Sequence, residues 1–459
     1  MIKNKSIAIP IFLIIFSLLF PINNSFGHGW GLDKTNIDYD GRKISVSIEL
    51  PMYFDESEDK IINIVAYDKK AKENAKNVTF LIGLFHNNEM IFRNYFFTSD
   101  GNLSIHINPT KDQETIIIGE QDSLLGAWYA TESKPIELVG PVFDSGGLFH
   151  FEIELRTIDE PTNIVENLGT HVAYVSMVET TSYQQKDLKG NNVDFKTKSY
   201  FDKIKSFQYD PQKNLVTFEM PFDWSEDVIS HIPVVHEEVR FPKEFADFFA
   251  PSYTGKVNGI ELFKSNVMVD DYTADDERIV HFMLLQDHLQ YIKNQLKKSE
   301  AEMPSFMLFT LEVSDKIEFP MIAFTRDEQF QVDLTWDPLE IEPDKNTKFI
   351  FTIRDAATGN PLRQSSYNFV ILQNNVEVYR TSGIAQIGGD YEEYAFSESQ
   401  TGVTIIRFEN IRDSGLDTEF GLVVVPEFGI FVLVTLVLAV SAMILLSKNG
   451  LGLNRFQFR

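Results

Sequence analysis

No cysteine occurs anywhere in the 459 residues. That excludes disulfides, thiolate nucleophiles, Cys-ligated iron–sulfur clusters, cysteine-type zinc sites and blue-copper centres, all of which need cysteine sulfur. The chain must be stable through its hydrophobic cores alone. Basic residues are scarce as well: 41 Lys and Arg stand against 67 Asp and Glu, giving a net charge of −26. Lys3, Lys5, Lys448, Arg455 and Arg459 lie at the two ends, so the intervening chain is more acidic still. Such a surface repels phosphate backbones and anionic head groups, which argues against nucleic acid as a partner. A GxSxG elbow, a P-loop and a dinucleotide fingerprint are also missing.

Aromatic residues are plentiful. With 39 Phe and 16 Tyr beside many Val and Ile, the composition favours strands, and the length suffices for two or three domains. In Leu148 to Leu155, Phe149, Phe151, Ile153 and Leu155 alternate with His150, Glu152 and Glu154, the pattern of a half-buried strand. Thr401 to Phe408 alternates less cleanly. The clearest internal signal is a repeat. His86-Asn87-Asn88-Glu89-Met90-Ile91-Phe92-Arg93 matches Gln373-Asn374-Asn375-Val376-Glu377-Val378-Tyr379-Arg380 in the Asn pair, the aromatic and the closing Arg. Asn tolerates left-handed backbone angles, so each Asn-Asn reads as a tight hairpin turn. Upstream of each lies another strand ending in aspartate, Ile61 to Asp68 and Phe349 to Asp355.

Two related sandwiches would produce this pattern. The expected fold is mainly β: two immunoglobulin-like β-sandwich domains, 28–158 and 328–424, flanking a central α+β domain, 159–327, for which a helix-decorated β domain is the other reading. In the centre, Leu285, Leu289, Ile292 and Leu296 form one stripe of an expected helix over Leu285 to Lys298, and Phe241 to Phe249 reads as a shorter one.

The ends give an address. Residues 1–27 read as a secretory signal: Lys3 and Lys5, an apolar run from Ile7 to Phe20, then Ser25-Phe26-Gly27 for cleavage. Phe428 to Leu446 is uncharged and long enough for one transmembrane helix within 425–447. The basic tail, 448–459, is expected in the cytoplasm and the large acidic part outside, a single-pass protein of the cell membrane. Val425-Pro426-Glu427-Phe428-Gly429, an apolar helix and a basic end together resemble the PEFG-CTERM sorting signal of archaeal surface proteins. The resemblance covers about thirty-five residues and names Pro426, Glu427, Phe428 and Gly429 as its sorting motif. It implies an archaeal cell-surface protein, with an archaeosortase-type processing enzyme and surface-layer components as partners. His28-Gly29-Trp30-Gly31 and Gly140-Pro141-Val142-Phe143 are similar to other exported archaeal proteins, which adds architecture but no chemistry. Asn77-Val78-Thr79 and Asn102-Leu103-Ser104 are sequons, so Asn77 and Asn102 are candidate glycosylation sites.

Candidate chemistry rests on histidine and carboxylate. Cleavage after Gly27 would make His28 the N-terminus, able to hold copper through its amine and imidazole, with His106 or His150 completing the set. His236-Glu237-Glu238-Val239-Arg240 nearly spells the zinc-protease HExxH, but Arg240 replaces the second ligand. The β-branched surroundings instead suggest a strand presenting His236, Glu238 and Arg240 on one face. His231, His281 and His288 would join His236 in one site only if the fold gathers them. Asp270, Asp271, Asp275, Asp276 and Glu277 could attract calcium, although the spacing fits no EF-hand and reads as a solvated loop. Asp144-Ser145-Gly146-Gly147 reads as a turn. No residue is assigned as catalytic and no cofactor is required. The expected role is an envelope protein that is structural or binds another surface component. The alternative is a copper- or zinc-dependent extracellular enzyme or carrier using His28 or the His231/His236 region, and solute capture in a central cleft is a third reading.

Overall fold

Alternating aromatic and β-branched residues build strands through almost the whole of residues 32–425 in a computed structural model. It describes these residues apart from 52–59, 88, 111–113, 124–125, 132–133, 144, 166–167, 299–301, 315 and 374–375. The signal, His28, the PEFG motif, the apolar segment and the tail lie outside the described residues. Among the described residues, no helix is long and apolar enough to cross a membrane. The described residues are mainly β, arranged as six sheets in three successive pairs.

The first pair contains β1 (Leu32–Tyr39), β2 (Arg42–Glu49), β3 (Ile61–Asp68), β4 (Val78–His86), β5 (Glu89–Thr98), β6 (Asn102–Pro109), β7 (Ile136–Gly140), β8 (Gly147–Ile158) and β9 (His171–Met177). One sheet runs β1-β2-β3-β6-β7, the other β9-β8-β4-β5, with short strands extending both. Because β9 pairs with β8 from Gly147↔Met177 to Ile153↔His171, this unit runs on to Met177, past residue 158. Its core lies between the sheets, where Phe80, Phe96, Phe149 and Phe151 are fully buried. The alternation of Phe149, Phe151, Ile153 and Leu155 against outward His150, Glu152 and Glu154 holds from Gly147 to Thr157 of β8.

The central unit comprises β10 (Glu179–Lys186), β11 (Asn192–Ser199), β12 (Ser206–Asp210), β13 (Leu215–Pro221), α1 (Glu226–His231), β14 (Val234–Pro242), β15 (Tyr253–Val257), β16 (Val267–Asp270), β17 (Glu277–Leu285), α2 (Gln286–Lys298) and β18 (Phe306–Val313). Of the two forms expected for it, the helix-decorated β domain is the one that appears. Sheets β10-β11-β14-β17-β16 and β12-β13-β18-β15 share one Phe-rich core, and two helices decorate them. Phe218 stacks on Phe309 at 4.7 Å with Phe282 edge-on at 5.7 Å. Helix α2 forms as expected, burying Leu289 and Ile292, but Leu285 ends β17 and is 48% exposed. Its Lys293 is buried beside Glu226 of α1 at 2.7 Å. The second expected helix, Phe241 to Phe249, does not form. Phe241 precedes a proline, which favours extended backbone; β14 continues to Pro242, and tight turns then fold Phe245, Phe248 and Phe249 into the core.

The last pair holds β19 (Met321–Phe324), β20 (Phe330–Asp337), β21 (Asn346–Asp355), β22 (Ser365–Gln373), β23 (Val376–Ala385), β24 (Gly389–Ala395), β25 (Gly402–Glu409) and β26 (Thr418–Val424). Its sheets run β19-β20-β21-β24 and β23-β22-β25-β26. In the first pair, β1-β2-β3-β6 and β5-β4-β8-β9 follow the same connectivity, with β7 and its short neighbours inserted. The sequence repeat is thus a repeat of topology. It extends to a single residue: the β4–β5 register leaves Ile91 bulged and the β22–β23 register leaves Val378 bulged, equivalent positions in the two motifs. The closing arginines also match. Arg93 crosses side-chain-free Gly83 to reach Glu152 (3.3 Å) and Glu154 (2.7 Å) on β8, and Arg380 crosses β22 to Glu409 (2.8 Å) on β25.

Candidate functional site

Ionisable groups are usually driven to the surface, so a buried set needs a local reason. The densest set lies on β14 and its neighbours. Residues two apart on a strand share a face, which places His236, Glu238 and Arg240 together, as the β-branched surroundings suggested. The antiparallel register then puts His281 of β17 directly opposite Glu238, and Lys198 of β11 opposite it on the other side.

His236 Nε2 lies 3.0 Å from His281 Nδ1. Glu238 Oε1 lies 3.8 Å from each of those nitrogens. The side chains of His236 and Glu238 are only 1% and 4% exposed, and that of His281 is 16% exposed. Each member is held by further contacts. Tyr200 stacks flat on His236 at 4.4 Å and donates its hydroxyl to Glu238 Oε1 at 2.9 Å. Arg240 donates from Nε (2.8 Å) and from an Nη (2.6 Å) to Glu238 Oε2. His281 Nε2 faces Asp270 Oδ2 of β16 at 3.4 Å. Burial of Asp270 opposes its ionisation, but His281 and the bonds from Thr273 outweigh that and hold its carboxyl below the ordinary range. Burial lowers the Lys198 ammonium, against the pull of Glu238, and its Nζ rests 4.6 Å over the Tyr200 ring.

Tyr200→Phe removes a hydrogen bond to a buried carboxylate and is expected to lower stability by about 2 kcal/mol. The shift of the urea midpoint at constant slope measures it.

The other sequence candidates are dispersed. His106 faces outward from the β3-β6-β7 sheet, and His150 outward from the opposite sheet, stacked on Phe85 at 4.7 Å. Burial lowers the His150 imidazole. His231 closes α1 with Nδ1 at 2.8 Å from the Asp227 carbonyl, and His288 bonds Asn266 at 2.8 Å. Of His231, His236, His281 and His288, only His236 and His281 meet. The acid cluster is no solvated loop throughout: Asp270 and Asp271 are 4% and 3% exposed, because Asp271 pairs with buried Arg278 and Asp270 caps the following turn through Tyr272 and Thr273. Asp275 stays exposed. Asn77 adopts φ 50° and its amide donates to the Asp159 carbonyl at 2.8 Å, whereas Asn102 is exposed at the start of β6.

No known family matches the chain, and no curated protein does. Among solved structures, dimeric latent PorU from Porphyromonas gingivalis aligns over 86% of this chain and 34% of its own length, with 10% identity and a TM-score of 0.18. The chain therefore spans about a third of that protein. A structure named pT26-6p aligns over 88% of this chain and 67% of its own, with 8% identity and a TM-score of 0.18. Similarity at that level carries neither fold nor function across.

Proposed function

We propose that this chain is a membrane-anchored, extracellular protein of the archaeal envelope, structural or binding in role, with two immunoglobulin-like modules flanking the central unit. The observation that supports it best is the way the three units are joined. Leu148 and Tyr174 of the first unit pack against the central core, as do Val370, Leu372 and Ile405 of the last. Polar links cross both junctions: Asp202 accepts from the Leu148 amide (3.0 Å), and Asp271 accepts from the Gly421 amide (2.8 Å). A string of sandwiches fused through buried contacts forms a stiff spacer, suited to holding a surface at a fixed distance from the membrane. The apolar stretch 428–446 supplies the anchor, and the acidic exterior keeps such a spacer soluble among neighbours. An archaeosortase-type enzyme would act at Pro426 to Gly429, and surface-layer components are the expected contacts.

Protease added to intact cells is expected to degrade the acidic bulk of the chain. Its full protection would place that bulk on the cytoplasmic side and end the proposal. Intact mass of the mature protein then reports whether the apolar stretch is kept.

A further inference from the structure

Two imidazoles and a carboxylate converge from adjacent strands, and the distances among them are those of a metal coordination sphere. His236 Nε2, His281 Nδ1 and Glu238 Oε1 form a triangle with sides of 3.0, 3.8 and 3.8 Å. The point equidistant from its corners lies about 2.1 Å from each, the length of a Zn–N or Zn–O bond. We propose that this triangle binds one divalent ion of the zinc–copper class, a site independent of the envelope role.

The surroundings are what such a site needs. A metal-bound imidazole is commonly oriented by a carboxylate on its other nitrogen, and His281 Nε2 faces Asp270 in that way. A proton on Nε2, directed at Asp270, leaves Nδ1 as a lone-pair donor. The Tyr200 ring holds the His236 plane from one side, and Arg240 occupies Glu238 Oε2, leaving Oε1 toward the triangle. A carboxylate oxygen has two lone pairs, so Oε1 can accept from the Tyr200 hydroxyl and still bind an ion. His281 gives solvent a route in, while His236 and Glu238 form the floor. Two nitrogens and one oxygen select against calcium and magnesium, which favour all-oxygen sets. With three protein donors, the fourth position of a tetrahedron falls to water.

The test uses the full chain, purified in detergent without a histidine tag and stripped with EDTA, titrated with Zn²⁺ against a chromogenic chelator. One zinc per chain is expected, with Kd at or below about 1 µM. His281→Ala, and the milder His281→Gln, should weaken binding at least tenfold, whereas His28→Ala and His106→Ala should not. Saturating zinc should also raise the urea midpoint of the wild type and leave that of His281→Gln unmoved. Less than half an ion per chain, His281 variants within tenfold of wild type, or displacement of zinc by millimolar Ca²⁺ would overturn the assignment.

Discussion

Asp271→Ala is expected to cost about 3–5 kcal/mol, because it strands a buried guanidinium. Arg278 is the largest side chain buried without measurable exposure, and Asp271 meets it with two bonds of 2.7 Å, at Nε and at an Nη. Burial alone would depress the Arg278 cation, and Asp271 with Tyr253 drives it above its ordinary value; a guanidinium stays protonated in proteins in any case, so it keeps its charge when its partner is removed. The guanidinium also lies 3.5 Å over the Phe249 ring and bonds the Ala250 carbonyl. The same carboxylate holds the Gly421 amide of β26, and Lys243 beside it bonds both the Asp271 carbonyl (2.6 Å) and Glu419 (2.8 Å). The substitution therefore loosens the junction between the central and last units as well as the pair. A Cβ at Gly421 would collide with Arg278 and Phe249, so only glycine lets β26 approach this closely. Adding Arg278→Met to Asp271→Ala removes the stranded charge and should restore most of the loss, a coupling of about 3 kcal/mol in a double-mutant cycle. An Asp271→Ala variant losing less than about 1 kcal/mol in urea would show that the pair contributes little to the fold.

That network also marks the limit of what a sequence can disclose. The Asn-Asn repeat was legible because hairpin signals are local, and the structure extends it to matching bulges at Ile91 and Val378. Strand β8 was legible because one face meets a core and the other meets water. Strand β25 blurred for the opposite reason: Ile406 and Phe408 face the last core, while Ile405 packs against the central one, so both faces are apolar. The central unit stayed open between α+β and helix-decorated β because the helix period of α2 is conspicuous and β14, buried on both sides, lacks alternation, although β11, β13 and β15 keep it. Charge was the least readable property. Asp270 and Asp271 look like a solvated loop until Arg278 and His281 are placed beside them. His236 and His281 are 45 residues apart in the chain, and only the antiparallel register brings them together.

The junction between the first and central units makes the second large prediction, a stability that falls as pH rises. Asp202 sits there, 8% exposed, accepting from the amides of Leu148 (3.0 Å) and Lys203 (2.7 Å). Burial pushes its carboxyl from 3.8 up to about 6, more than those two bonds and Lys205 pull it down, and Glu179 adds repulsion. Glu237, fully buried and bonded to Ser199 at 2.9 Å, is raised well above its ordinary value, first by burial and then by repulsion from Asp202 and Glu238. A carboxyl that binds its proton more tightly when folded favours the folded state fully below pH 3.8, and that advantage is lost as pH climbs through about 6. For Asp202 the cost at neutral pH is about 3 kcal/mol. Asp202→Asn keeps an oxygen to accept from both amides but has no charge to bury. It should therefore exceed the wild type by up to about 3 kcal/mol at pH 7.5 and match it near pH 4. Urea titrations of both proteins across that range read the difference directly, and a gap independent of pH would mean that Asp202 ionises as freely in the folded chain as in the unfolded one.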